Sequence, residues 1–319
     1  MRGRTEMARA GTPNVAASVH ARLKQTRRPG DDFNLTLQRY AAERFLYRLG
    51  ASDVSDRFVL KGASMFLVWS GDIFRGTQDI DLLGTDPTMA EAVGRDLGLI
   101  CAVPCPDDGV AFDATRIRLT EMPVEGKRAL RCRLVGRLGN MRLPLQVDIG
   151  FGDVVTPNPE RCEYPTLLDH PKPVLWTYPR ETFIAEKFSA MVTLGERNSR
   201  IKDVWDIAAL AHDFSFDGPT LRLAVHRTVM QRGQISGDEV PGLQAGYYLD
   251  AERQGHWERF LDGVVVYGYS PDTLPEAGRA VRSFLGPVWA SVVGDVAFEM
   301  NWPAGGPWRL HSIGVATGD

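Results

Sequence analysis

Leu37, Tyr40, Ala41, Phe45 and Leu49 recur every third or fourth position and stop at Gly50, which predicts an amphipathic helix with one buried stripe. Upstream, Thr12-Pro13 followed by Val15, Val19 and Leu23 predicts a shorter capped helix, ended by Arg28-Pro29-Gly30. The apolar run Phe58-Val59-Leu60 then meets Lys61-Gly62-Ala63-Ser64, and Met65 to Trp69 reads as helix, with a loop from Gly71 to Thr77. Asp79-Ile80-Asp81-Leu82-Leu83 alternates polar and apolar, as a strand with one buried face does. Residues 88–100 are again helical in pattern. From 112 to 149 strand-like alternation dominates: Leu143, Leu145, Val147 and Ile149 share one face, Gln146 and Asp148 the other. Residues 152–179 carry six prolines and read as a crossing linker with one short strand, Val174 to Tyr178. Helical periods follow over 180–195, 202–214, 219–232, 250–262 and 275–292, and the tail from Asn301 has no clear period. A mixed first half before a helical second half is an α+β arrangement.

Composition narrows the class. The chain has 319 residues, 44% of them apolar and 24% charged, enough for a sizeable core in two domains or one large one. No window approaches the roughly 18 uninterrupted apolar residues of a membrane helix, and MRGRTEMARAGTP lacks the apolar segment of a secretory signal. Cys101, Cys105, Cys132 and Cys162 are too scattered for a disulfide framework or a zinc ribbon. A cytoplasmic protein with reduced thiols is expected. The formal net charge of −3 excludes a globally basic nucleic-acid binder. Two regions are nevertheless basic. Residues 1–30 hold seven Lys or Arg against Glu6, and residues 116–142 hold eight against Glu121 and Glu125. Such stretches are either solvated faces or surfaces for phosphate.

Asp79 and Asp81 sit two apart on one predicted strand, so their carboxylates share a side roughly 6–7 Å apart. A D-x-D pair by itself is more often solvated than functional. Its context is rarer. Gly62 and Ser64 lie where a strand meets a helix, a place that lets backbone approach a phosphate. Asp148 lies on the polar face of a strongly alternating strand, able to meet the pair from a neighbour. Hard carboxylate ligands with open positions suit Mg2+ or Mn2+ bound jointly with nucleotide phosphates, and that order of elements is what two-metal nucleotidyl transfer needs. On the helix 180–195, Lys187 projects within the apolar arc, where a lysine either snorkels or meets an anion. On the next helix Lys202, Asp203, Asp206 and Asp213 fall on the polar side. There Lys202 and Asp206 form either a surface i, i+4 pair or part of a site facing triphosphate.

The segments FVLKGASMFL, FRGTQDIDLLG, QVDIGFGD and YPRETFIAEKFSAMVTLGERNSRIKDVWDIAAL together resemble the AbiEii/AbiGii nucleotidyl transferase toxins, a family that includes the mycobacterial MenT-type toxins. The resemblance covers roughly residues 35–215. It implies a polymerase-β-like mixed-sheet domain with N-terminal helices, followed by a mainly helical C-terminal domain. The expected division is a basic arm and helix over 1–34, a nucleotidyl transferase core over 35–160, a helical domain over 161–300 and a tail over 301–319. The family's Gly-Ser falls on Gly62 and Ser64, with Ala63 intervening, as binders of substrate phosphate. Its D-x-D falls on Asp79 and Asp81, its later acidic strand residue on Asp148, and these three would hold metal. Its helical lysine matches Lys187, which would offset charge on the triphosphate, and its closing (R/K)-D-x-x-D element matches Lys202, Asp203 and Asp206, with the two aspartates orienting nucleotide or lysine. The resemblance further implies an NTP substrate, Mg2+ or Mn2+, transfer to RNA such as a tRNA 3′ end, and a cognate antitoxin protein. Two other readings keep the fold: nucleotidylation of a protein or small-molecule hydroxyl, and a nucleotide-binding regulatory module without turnover.

Overall fold

The structure is a computed structural model that describes residues 14–27, 32–71, 79–85, 90–105, 108–124, 127–233, 239–263 and 268–310. The arm before residue 14, the Arg28-Pro29-Gly30 stop, the Gly71–Thr77 loop beyond its first residue and the tail beyond Leu310 lie outside the described residues.

Two helices, α1 (Val15–Gln25) and α2 (Phe33–Gly50), lead into β1 (Phe58–Lys61), α3 (Met65–Ser70), β2 (Asp79–Gly84) and α4 (Ala90–Ala102). Then come β3 (Val110–Phe112), β4 (Arg118–Val124), β5 (Lys127–Leu138), β6 (Met141–Phe151), β7 (Glu160–Glu163) and β8 (Val174–Thr177). All eight strands form one sheet in the order β3-β5-β6-β2-β1-β8-β7, with β4 also paired to β5. It is mixed: β2 runs parallel to β6 and β1 parallel to β8, while the remaining pairs are antiparallel.

The alternation along β5 and β6 decides which face is covered. Leu130, Cys132 and Leu134 of β5 and Leu145, Val147 and Ile149 of β6 bury against Phe45, Leu46 and Leu49 of α2 and Val93, Leu97 and Ile100 of α4. The opposite face carries Asp79, Asp81, Arg131, Arg133, Gln146 and Asp148, all half-buried or exposed. An antiparallel-rich sheet tolerates one wet face, and here that face carries the charged side chains.

The second half comprises α5 (Arg180–Leu194), α6 (Ile201–Asp213), β9 (Phe216–Asp217), α7 (Gly218–Gln231), α8 (Ala251–Asp262) and α9 (Leu274–Val293), then β10 (Met300–Trp302) and β11 (Arg309–Leu310). Its core is contiguous and rich in aromatic rings, with Phe188, Trp205, Trp257 and Phe284 buried. Phe66 of α3 enters it, its ring 5.6 Å from Phe183 and 6.0 Å from Trp205, and so joins the halves. No helix among the described residues is long and apolar enough to cross a membrane.

Three boundaries differ from the sequence reading. The division at 160/161 falls inside the sheet, because β7 and β8 pair with each other and β8 pairs with β1. Prolines spaced by short β-prone runs hid the first of these strands. Helix α1 is no free arm: Val19 and Leu23 pack on Tyr40, Leu138 and Leu143. The described part of the tail joins the fold: β10 pairs with β9 and β11, Trp308 stacks on Phe284, and Trp302 packs against it at a tilt.

One buried carboxyl ties α2 to the loop between β7 and β8. The Glu43 side chain is wholly inaccessible and its Oε2 accepts the Leu167 N–H at 2.9 Å, while Oε1 has no hydrogen-bond partner. Burial pushes its carboxyl up to about 7, against the pull of Arg44. The folded chain therefore holds a proton that the unfolded chain releases, and stability falls as pH rises from the ordinary carboxylate range through about 7. Urea unfolding across about pH 5 to 8 should lose stability less steeply in Glu43→Gln than in the wild type, by on the order of 3 kcal/mol. Equal slopes would remove Glu43 as the source.

Candidate active site

Four strands present one charged residue each in a single row. Arg131 of β5 stands opposite Asp148 of β6, Asp148 opposite Asp81 of β2, and Asp81 opposite Lys61 of β1. Cross-strand partners project to the same side of a sheet, so the row reads plus, minus, minus, plus. The neighbouring row runs Arg118, Arg133, Gln146 and Asp79 across β4, β5, β6 and β2. The expected convergence of Asp79, Asp81 and Asp148 is thus met by strand register.

The two ends of the row neutralise its middle in different ways. Arg131 grips Asp148 with both prongs, Nε to Oδ1 at 2.9 Å and Nη2 to Oδ2 at 2.7 Å. Burial pushes the Asp81 carboxyl up to about 6; Lys61 and Lys187 oppose this, and Asp148 and Asp79 add to it. Asp79 is also raised, first by burial and then by Asp148, against Arg131 and Arg133. Lys61 lies 2.7 Å from Asp153 and 3.2 Å from Glu186, whose Oε1 accepts the Tyr178 hydroxyl at 3.0 Å. Burial works against the Lys61 ammonium, but Glu186 and Asp153 outweigh it and hold the lysine above its ordinary value.

Gly62 is required where it stands. Its φ is +73°, and a Cβ there would lie 2.0 Å from Asp81 Oδ2 and 2.7 Å from Asp81 Cβ. Backbone and carboxylate are in direct contact, with no room for a side chain. Ser64 departs from expectation. It is buried, and its hydroxyl meets that of Tyr164 in the core, so it does not face the carboxylate rows.

The helical half contributes Lys187. Its Nζ sits 2.7 Å from Asp203 Oδ1 and 2.7 Å from Asp206 Oδ2, and 4.4 Å from the Phe183 ring centroid. Both aspartates are buried, Asp206 completely, which corrects their expected place on an exposed face of α6. That helix is enclosed on nearly every side, and carboxylates enter such a core only when paired. The lysine on the apolar arc of α5 supplies the pairing. Lys202 is exposed, and its surface pair with Asp206 does not form, because Asp206 points inward.

Sequence reasoning overlooked Lys61, Glu186, Asp153 and Arg131. Arg131 and Arg133 alternate with Leu130, Cys132 and Leu134, so their shared polar face was visible as a period of two. Lys61 directly precedes Gly62 in the strand opposite the D-x-D, a position that only the β1–β2 register makes meaningful.

Among the described residues no group of three or more His, Cys, Asp or Glu side chains stands ready to hold a metal ion, and the expected third metal ligand, Asp148, is bound by Arg131. The remaining donors are Asp79 and Asp81. Mg2+ is ordinarily held by one or two carboxylates together with substrate phosphates, not by an all-protein cage, and the Asp79–Asp81 pair fits that requirement.

No curated protein matches the chain. Two solved structures from Helicobacter pylori are similar at low identity: JHP933, 13% identical with a TM-score of 0.45 over 83% of this chain and 95% of that one, and a protein provisionally described as a nucleotidyltransferase, 12% identical with a TM-score of 0.44 over 84% and 100%. The family model for the nucleotidyl transferase AbiEii toxin of type IV toxin–antitoxin systems matches residues 44–277. With most of its length matched, and with the carboxylate rows inside that span, the chain belongs to the AbiEii family of nucleotidyl transferase toxins.

Proposed function

We propose that this enzyme moves a nucleoside monophosphate from an NTP to an RNA hydroxyl, with a tRNA 3′ end as the acceptor, and that a cognate antitoxin protein restrains it in the cytoplasm. The observation that carries the reading is the strand-register row, which sets Asp81 beside Asp148 with Gly62 in contact with Asp81. A divalent cation, Mg2+ or Mn2+, held by Asp79 and Asp81 supplies positive charge to the triphosphate during transfer.

The chain's own groups do the rest. The missing side chain at Gly62 lets this turn pack directly on the Asp81 carboxylate, which holds that carboxylate in place at the β1 end of the row. Lys187, fixed by Asp203 and Asp206, presents a cation toward Asp81 from the helical half, and its two aspartates set its position without touching substrate. Asp148 takes the proton of the attacking hydroxyl once one Arg131 prong opens; until then it is a fixed negative charge. The new bond joins the acceptor oxygen to the α-phosphorus as the bond to pyrophosphate breaks.

Incubation with labelled NTPs and total tRNA tests the reading. Wild type should label RNA, and Asp81→Asn should lose at least about a hundredfold in rate, roughly 2.7 kcal/mol of barrier. Absence of label with every NTP, or an undiminished Asp81→Asn, ends it.

Gly62→Ala gives a second check. The added methyl must displace the Asp81 carboxylate, so transfer should fall by a similar factor while circular dichroism stays that of the wild type. Full activity in Gly62→Ala would contradict the role assigned to this contact.

A further inference from the structure

A cleft of about 540 Å3 opens beside Asp79 on the wet face of the sheet, and Arg116, Arg118, Arg133, Arg142 and Gln146 are among its lining residues. All four arginines are exposed. Arg116 shares its charge with Asp113 at 3.0 Å, whereas Arg118, Arg133 and Arg142 form no ion pair among the described residues. Exposed arginines are usually solvated singly. Four on one concave surface, with Asp79 as the sole acid in the lining, repel one another and raise the local potential for an anion.

Position relative to the carboxylates decides which anion. Strand order puts Gly62 and Lys61 at the β1 side of Asp81, and Lys187 acts on Asp81 from the helical half. The arginines lie on the other side, on β4, β5 and β6 and the turn before β4. In-line displacement requires the attacking hydroxyl and the departing pyrophosphate to lie on opposite sides of the α-phosphorus. With the triphosphate on the Lys187 side, the arginine side belongs to the acceptor.

We infer that this cleft is the track for a single-stranded RNA 3′ end, with Arg133 holding the phosphate nearest Asp79 and Arg118, Arg116 and Arg142 holding those upstream. The inference rests on the RNA acceptor proposed above. Arg118 to Asp79 is three strand spacings, about 14 Å, and same-face residues along a strand repeat every ~6.6–7 Å. A chain with a charge on every unit can meet such a row continuously, which an acidic protein surface with irregular charges cannot. The volume suits a few groups of a single strand, and guanidinium planes also stack on unpaired bases.

Fluorescence anisotropy with the full chain and a labelled single-stranded RNA bearing a free 3′ hydroxyl tests this, beside binding of a fluorescent NTP analogue. Arg118→Gln/Arg133→Gln should weaken RNA binding at least tenfold. It should also flatten the log–log salt dependence by roughly 1.4, about 0.7 per lost phosphate contact, and leave NTP binding unchanged. Arg118→Lys/Arg133→Lys should retain most of the salt slope, which separates charge from damage to the fold. Unchanged RNA affinity and slope in the Gln variant, equal loss in the Lys variant, or loss of NTP binding in place of RNA binding would each overturn the assignment. The two proposals fail separately. RNA bound through these arginines with no nucleotide transferred leaves the track standing and sinks the enzymatic reading. Transfer to RNA with unaltered KM in the Gln variant does the reverse.

Discussion

Register between neighbouring strands is the constraint on which the site depends. Two carboxylates from adjacent strands are forced side by side because β2 and β6 run parallel with Asp81 opposite Asp148. Left alone they would repel by about 1–4 kcal/mol, depending on the local dielectric. The same pairing pattern supplies the remedy, since Arg131 and Lys61 fall at the two ends of the row. A one-residue slip of any strand would turn its member into the α2–α4 core. The large apolar surface on that side therefore guards the charged side indirectly: Val147 and Ile149 cannot leave the core without pulling Asp148 out of line.

The helical half is bound to this row by charge as well as by packing. Phe66 joins the cores, and the Lys187–Asp203–Asp206 cluster sets a cation within electrostatic reach of Asp81. Removing one member of such a buried cluster leaves the others uncompensated, which is far worse than never having had it. Asp203 and Asp206 thus fix where the Lys187 ammonium sits.

Much of this was readable in advance where a residue's neighbours along the chain determine its surroundings. The alternation around Asp79, Asp81 and Asp148 and the helical periods of the second half all appear as elements, within a few residues of their expected ends. What escaped depends on partners distant in sequence. Asp203 and Asp206 carry two expected roles, orienting nucleotide or orienting lysine, and only the packing of α6 on α5 shows them both paired with Lys187. Ser64 resembles a phosphate ligand until Tyr164, a hundred residues away, takes its hydroxyl. β7 was masked by prolines that mark the ends of short strands as readily as they mark a linker. Arg131 was legible as an alternating residue, but its hold on Asp148 follows only from the β5–β6 pairing.

The Lys61 contacts carry a structural corollary. This lysine closes the row at β1, and one of its two acidic partners, Glu186, belongs to α5, itself braced by Tyr178. The electrostatic balance around Asp81 is consequently set in part by the seating of α5 against the sheet. A fragment ending before α5 would retain all three strand carboxylates and still present them in a different charge environment, with Lys61 drawn to Asp153 alone.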